Sequence, residues 1–237
     1  MRVATASLLR LHAVVPAGEA ATATGLCAIA CGAIAGLAGK VRGEPPRRAA
    51  LRHDRVVGRA LAACSSVVPF RLGTDAPSAA ALRATLAANE PALAHQLARF
   101  AGRVEMGLRV KLPSLAALEA LRAGLAPIRA LAPGLDDRRE RLMSGAAGQV
   151  FEGCYLVPRG DIAAYWSGVR EVRAALRGAP LVGSGPWAAY SFCDLVLRPE
   201  VGRNATGRAP PSSREVTTCI RSGPSKRISM WSRARSA

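Results

Sequence analysis

Histidines, cysteines and one pair of adjacent carboxylates are the residues of this chain that could do chemistry. The three histidines, His12, His53 and His95, lie far apart in the sequence. An imidazole titrates near neutral pH and can serve as a base or a metal ligand. His53 and His95 fall inside predicted helices, however, and read as surface or packing residues. The six cysteines, Cys27, Cys31, Cys64, Cys154, Cys193 and Cys219, are scattered. Only Cys27 and Cys31 are close, and no Cys-x-x-Cys pair or Cys/His cluster supplies the spacing of a zinc site. Small buried hydrophobes are the favoured reading of most of them. Asp136-Asp137 lies in a loop-like Pro-Gly-Leu-Asp-Asp run. It could hold a metal, but a helix cap beside Arg138 and Arg139 fits better. There is no nucleophile elbow, phosphate-binding loop or dinucleotide fingerprint. The chain therefore reads as a non-enzyme that needs no cofactor.

Two local groups remain. The first joins Phe70-Arg71-Leu72-Gly73-Thr74 to Gly102-Arg103-Val104-Glu105-Met106-Gly107. Gly73 and Gly107 suit tight turns or close backbone approach. Arg71 and Glu105 sit in predicted strands; they either pair across one sheet or stand as solvated charges on an open face. The second group is Gly185-Pro186-Trp187-Ala188-Ala189-Tyr190-Ser191-Phe192. Seven of the ten aromatics lie between Phe151 and Phe192. This group is either a local core or a protein-binding anchor, since buried Trp and Tyr dominate interface energetics. Trp187 is expected in the core, and Tyr190 is the better placed to meet a partner.

The elements that position these groups follow from periodicity. Residues 8–15 and 25–31 read as strands, 33–41 as a short helix, 51–64 as a helix and 67–72 as a strand. Thr74 or Asp75 is expected to cap the next helix, with Pro77 in its first turn. Pro91 interrupts that helix and predicts a kink or restart near Asn89. Residues 103–111 alternate, with Val104, Met106, Leu108 and Val110 on one face, as a half-buried strand does. Residues 114–143 read as helix broken at Pro127 and at Pro133-Gly134. Residues 150–157 read as strand, 162–176 as helix capped by Asp161, and 181–192 as extended chain broken at Gly185-Pro186. A continuation of the strand is expected over 193–197. The succession of elements predicts an α+β fold.

The 237 residues suffice for one large or two small domains, and 50% hydrophobic content excludes a wholly disordered protein. The net charge of +17 comes from 33 basic and 16 acidic side chains. Such a balance points to nucleic acid, a membrane surface or an acidic protein. Only three of the basic residues are lysines (Lys40, Lys111 and Lys226), a pattern that GC-rich coding also produces. Residues 199–237 carry +6 of the charge with little apolar periodicity, and are expected to be a disordered basic tail. Residues 20–39 lack charge but are mostly Ala, Gly and Thr, too weakly apolar for a membrane span. With no convincing signal peptide and no disulfide pattern, a cytoplasmic location is expected.

The same strings, in the same order, resemble the gas vesicle GvpL/GvpF family. They are the 70–74 segment, then Gly102-Arg103-Val104-Glu105-Met106-Gly107-Leu108-Arg109-Val110, then Tyr155-Leu156-Val157-Pro158-Arg159, then the 185–192 segment. His12-Ala13-Val14-Val15-Pro16-Ala17-Gly18 and residues 26–32 are similar to the family's first two strands. The resemblance runs from about residue 8 to 195. It implies an N-terminal ferredoxin-like α/β domain (1–112), a helix-rich C-terminal α+β domain (113–198) and a tail (199–237) without a family counterpart. Residues 112–149 are shorter than the family's usual helical insert. The implied role is an accessory protein of cytoplasmic gas vesicles. Its implied partners are the main hydrophobic shell protein and other accessory proteins, with support of nucleation or prevention of shell-subunit aggregation as its task. The motif positions so marked for structure or interaction are Phe70, Arg71, Gly73, Thr74, Arg103, Glu105, Gly107, Tyr155, Gly185, Pro186, Trp187, Tyr190 and Phe192. No small-molecule substrate is implied and nucleic acid is not expected. The alternative is a small basic RNA-binding α+β module with an Arg-rich tail, which lacks the paired strand aromatics of sheet-based RNA readers.

Overall fold

The structure is a computed structural model that describes residues 8–22, 27–145, 148–195 and 197. The tail expected at 199–237, and Gly25 and Leu26 of the second predicted strand, lie outside the described residues. The fold is mixed α+β with antiparallel sheets. Contacts divide the chain into two units, one ending at Ala101 and the other spanning Gly102–Phe192, with Cys193 and the described residues after it joined to the first.

In the first unit, β1 (Leu9–Pro16), β2 (Cys27–Cys31), β3 (Ile34–Lys40), β4 (Val68–Pro69) and the short β5 (Asp75–Ala76) form one sheet. Its order is β2-β3-β1-β4, and β5 also pairs with β1. β3 replaces the helix expected over 33–41. Its Ala and Leu residues suit a helix locally, but β3 pairs with strands on both sides, and Ile34, Ala35, Leu37 and Ala38 are fully buried. Tertiary pairing overrides a weak propensity here. The glycine serves packing: a Cβ on Gly36 would lie 2.8 Å from the Leu86 side chain. The β2–β3 turn uses Gly32 at φ +53°, and the Glu90 carboxylate accepts the Ala33 N–H at 2.9 Å.

The helix expected from residue 51 starts earlier. α1 (Pro46–Ala63) has proline at its first position, where the missing N–H costs no hydrogen bond. Its buried stripe is Ala49, His53, Val56, Val57 and Ala60. α2 (Ala79–Ala88) is capped by Ser78, whose hydroxyl accepts the Ala81 N–H at 3.1 Å, rather than by Thr74 or Asp75. Asp75 instead takes two hydrogen bonds from Arg10, at 2.7 and 2.8 Å. α3 (Glu90–Phe100) restarts at Asn89 as Pro91 predicts, although the Asn89 side chain donates to the Thr85 carbonyl instead of capping.

Two histidines distant in sequence meet inside this unit. β1 shifts register against β3 between Leu11 and Ala13, so His12 is the extra residue of a bulge. Its Nδ1 lies 2.9 Å from Nδ1 of His53 on α1, and both rings are buried. His53 Nε2 lies 2.9 Å from the Phe70 carbonyl, which can only accept. His53 therefore carries its proton on Nε2 when neutral, and His12 donates from Nδ1. Burial, then the facing His53 and the cations of Arg52 and Arg10, push His12 down to about 4 against the pull of Asp75. Burial lowers His53 as well, against the Phe70 carbonyl and Asp54, with Arg10 adding to the lowering.

In the second unit, β6 (Arg103–Leu112), β7 (Arg138–Gly145), β8 (Gly148–Pro158) and β9 (Leu181–Trp187) form an antiparallel sheet in the order β7-β8-β6-β9. β6, placed in the N-terminal domain by the sequence, pairs with β8 and β9 of this unit. β7 takes the place of the expected helix end over 138–143. That run, Arg-Arg-Glu-Arg-Leu-Met, carries no clear period, and its pairing with β8 decides its state. α4 (Leu115–Gly124), α5 (Ala126–Ala130) and α6 (Ile162–Ala175) complete the unit. α4 is capped by Ser114. Tyr165, Gly168, Val169 and Val172 form the buried stripe of α6, and a Cβ on Gly168 would lie 2.8 Å from Ile128 of α5. The described residues 193–195 form no strand.

Because both histidines bind protons less readily folded than unfolded, their contribution is intact above about pH 6.5. It is lost as the pH falls from there toward the folded value of about 4 for His12. Urea midpoints at pH 7.5, 6.0 and 5.0 should fall through this window, and a His12→Asn/His53→Gln variant should show a flatter profile. Parallel profiles would place the acid sensitivity elsewhere.

Candidate interaction surface

A tight turn at the end of β9 is held against the second sheet by one carboxylate. Glu105, in the central strand β6, is only 3% exposed. Its two oxygens accept the backbone N–H of Ser191 at 2.7 Å and the Ser191 hydroxyl at 2.5 Å. A buried carboxylate requires such donors, because transfer from water without them is very unfavourable. The alternation of β6 had left Glu105 on an open face; the 188–192 turn covers it. Within that turn, Tyr190 N–H donates to the Ala188 carbonyl and Phe192 N–H to that of Ala189.

The backbone reaches this position through a bulge. Glu105 pairs with Trp187 and Gly107 with Ser184, so Gly185 and Pro186 together oppose Met106. Gly185 has φ +118°, and a Cβ there would lie 2.8 Å from the Met106 sulfur and 2.9 Å from the Glu105 carbonyl oxygen. Only glycine fits. Phe192 is fully buried with the Arg139 guanidinium 5.6 Å from its ring centre, and Ala188 and Ala189 are buried. Pro186 is exposed, whereas Trp187 and Tyr190 are half-buried. Phe192, rather than the expected Trp187, is thus the fully buried aromatic of the segment. Trp187 and Tyr190 both keep surface on offer.

Tyr155 lies on the opposite face of the sheet. It is fully buried and donates its hydroxyl to Glu140 at 2.9 Å, while Arg129 donates twice to the same carboxylate, at 3.0 and 2.7 Å. Burial alone would push Glu140 up, but the hydrogen bonds of Arg129 and Tyr155 hold it below its ordinary value. Burial, reinforced by Glu140, pushes Tyr155 up and keeps it a donor. Arg103 pairs with Asp137 at 2.9 Å, which gives that carboxylate a structural task. Among the described residues no group of three or more His, Cys, Asp or Glu side chains could hold a metal ion.

The four remaining motif residues belong to the first unit. Phe70 is buried; Arg71, Gly73 and Thr74 make a turn in which Gly73 has φ +100° and Thr74 donates from both N–H and hydroxyl to the Arg71 carbonyl. Arg71 follows β4 of the first sheet and Glu105 lies in the second, so they are not the cross-strand neighbours expected from the sequence. The structure gathers Arg103, Glu105, Gly107, Tyr155 and the 185–192 segment into one unit. Sequence reasoning missed the Glu105–Ser191 contact because nothing local links residues 86 positions apart.

The model of one protein family, described as gas vesicle synthesis protein GvpL/GvpF, matches residues 12–147. The chain belongs to the GvpL/GvpF family. Solved structures agree in fold. The gas vesicle protein GvpF from Anabaena sp. PCC7120 superposes with a TM-score of 0.68 at 15% identity, covering 80% of this chain and 97% of that one. GvpF from Microcystis aeruginosa gives 0.65 at 13% identity, covering 80% and 100%. No curated protein matches the chain in sequence.

Removing the carboxylate in Glu105→Ala should leave the Ser191 donors unmatched and cost about 1–3 kcal/mol. Gly185→Ala should cost about 1–3 kcal/mol through its backbone conformation alone. Both are read as lower urea midpoints by tryptophan fluorescence. Unchanged midpoints would mean that the turn is not held by these contacts.

Proposed function

We propose that this chain is a non-enzymatic assembly protein of cytoplasmic gas vesicles that binds the main hydrophobic shell protein. Through that contact it supports nucleation or keeps shell subunits from aggregating, alongside other accessory proteins. A subunit with a large exposed apolar face aggregates until the face is covered. Covering it calls for rigid apolar contact area rather than catalytic groups. The observation that carries this reading is the turn pinned by Glu105, which leaves Pro186 exposed and Trp187 and Tyr190 half-buried within four residues of chain. Aromatic side chains with few rotors, held in place before binding, lose little entropy on contact. Family membership supplies the context. No helix among the described residues is long and apolar enough to cross a membrane.

The test is capture of the affinity-tagged shell protein by the full chain, with Trp187→Ala and Tyr190→Ala compared by circular dichroism melting. Both side chains are half-buried, so the variants should stay folded. Each should lose at least tenfold in capture, corresponding to about 1.4 kcal/mol. Undiminished capture by both folded variants would move the contact away from this turn, and absence of capture by the wild-type chain would sink the reading itself.

A further inference from the structure

The second sheet has a face that the helices do not use. Residues paired across antiparallel strands share a face, so Arg141 of β7, Glu152 of β8, Arg109 of β6 and Val182 of β9 form one row. The next row toward the β7–β8 turn is Met143, Val150 and Lys111. Met106, Leu108, Val110, Phe151 and Tyr155 lie on the opposite face and are buried. On the first face, the end at Glu105 is covered by the 188–192 turn. The other end is open: the Arg109 and Arg141 side chains are 41% and 47% exposed, and Lys111 and Val182 are exposed as well.

Glu152 is the only carboxylate on these two rows, and both arginines use it. Arg141 donates from Nε at 2.8 Å and also from Nη2, while Arg109 Nε approaches the other oxygen at 3.5 Å. Each guanidinium has five N–H donors, so one carboxylate leaves most of them facing water. With Lys111, three cations stand against one anion. Like charges this close repel, and an incoming carboxylate relieves that repulsion.

We propose that this open sheet face docks an acidic, partly apolar segment of a partner protein. Val182, Val150 and Met143 stand in the same rows as the cations and offer contact to apolar side chains of the segment, which a phosphodiester backbone would leave unmet. The two open rows carry no aromatic on which a nucleic-acid base could stack. A second copy would set cation against cation, and residues 199–237 of this chain are themselves basic. The proposal does not rest on the gas vesicle reading, because its test needs only the purified chain.

The probe is a fluorescein-labelled 18-residue amphipathic peptide of Glu, Ala and Leu, followed by anisotropy at 50 and 300 mM NaCl. A twenty-nucleotide poly(U) RNA and phosphatidylglycerol vesicles serve as the other arms. Arg109→Gln/Arg141→Gln should weaken peptide binding at least tenfold, and Lys111→Glu, outside the Glu152 network, at least threefold. Glu152→Gln should tighten it severalfold, since it removes the internal competitor. Arg122→Gln, an exposed arginine on α4, should leave it unchanged. Circular dichroism checks each fold; if the double variant does not fold, Lys111→Glu and Glu152→Gln decide. Equal loss with Arg122→Gln would mean that only net charge is sensed. That result, insensitivity of binding to the face variants, or tighter binding of RNA or vesicles through these residues would overturn the proposal.

Discussion

Glu105 occupies a central strand with its carboxylate shut away from water, and such a group persists in a fold only where donors surround it. Ser191 brings two of them, a backbone N–H and a hydroxyl. This contact fixes where the chain goes after β9. To deliver Ser191, β9 must bulge over Met106, which demands glycine at 185. Once Ser191 is in place, Phe192 falls beside Arg139, and Trp187 and Tyr190 are left half in water. A contact buried between one strand and one turn thereby sets the surface on which the proposed function rests.

The strands and helices with a clean period were legible: β1, β6, β8, α6, and the break between α2 and α3 at Asn89. β3 and β7 were not, for different reasons. β3 is built from Ala, Gly, Ile and Leu, whose helical reading is defeated by burial between two neighbouring strands. β7 is mostly charged, and its strand state comes from pairing with β8 rather than from its own residues. Edges and centres of sheets are set by partners that a local window does not contain. The same limit applies to the site. The residues of the 185–192 segment stand out by aromatic density, but the sequence leaves its anchor, Glu105, as either a cross-strand partner of Arg71 or a solvated strand charge. His12 and His53 were read separately, and only the bulge in β1 brings them into contact.

Arginine is this chain's main polar building material. Arg10 with Asp75, Arg52 with Glu44, Arg103 with Asp137, and Arg129 with Glu140 each tie separate segments together. In the Arg129–Glu140–Tyr155 cluster two donors share a half-buried acid. Exposed pairs of this kind contribute little on their own, ~0–1 kcal/mol. Their greater effect is to use up acids. With 16 acidic side chains against 33 basic ones, the carboxylates so engaged leave a surplus of arginine on the surface. A GC-rich coding bias would also favour arginine over lysine; part of the surplus, Arg109 and Arg141, stands on the open face of the second sheet.

That surplus bears on the handling of an apolar partner. A protein that covers aggregation-prone surface is itself at risk if it displays a wide apolar patch. The large apolar side chains exposed here, such as Leu8, Leu72, Leu115 and Leu135, lie on different segments. Trp187 and Tyr190 are each half-buried. A net charge of +17 opposes self-association. The proposed function would make two demands, solubility alone and adhesion to a hydrophobic subunit, and they would fall to different residue classes: arginine to the first, and a few rigid aromatics held by a buried carboxylate to the second.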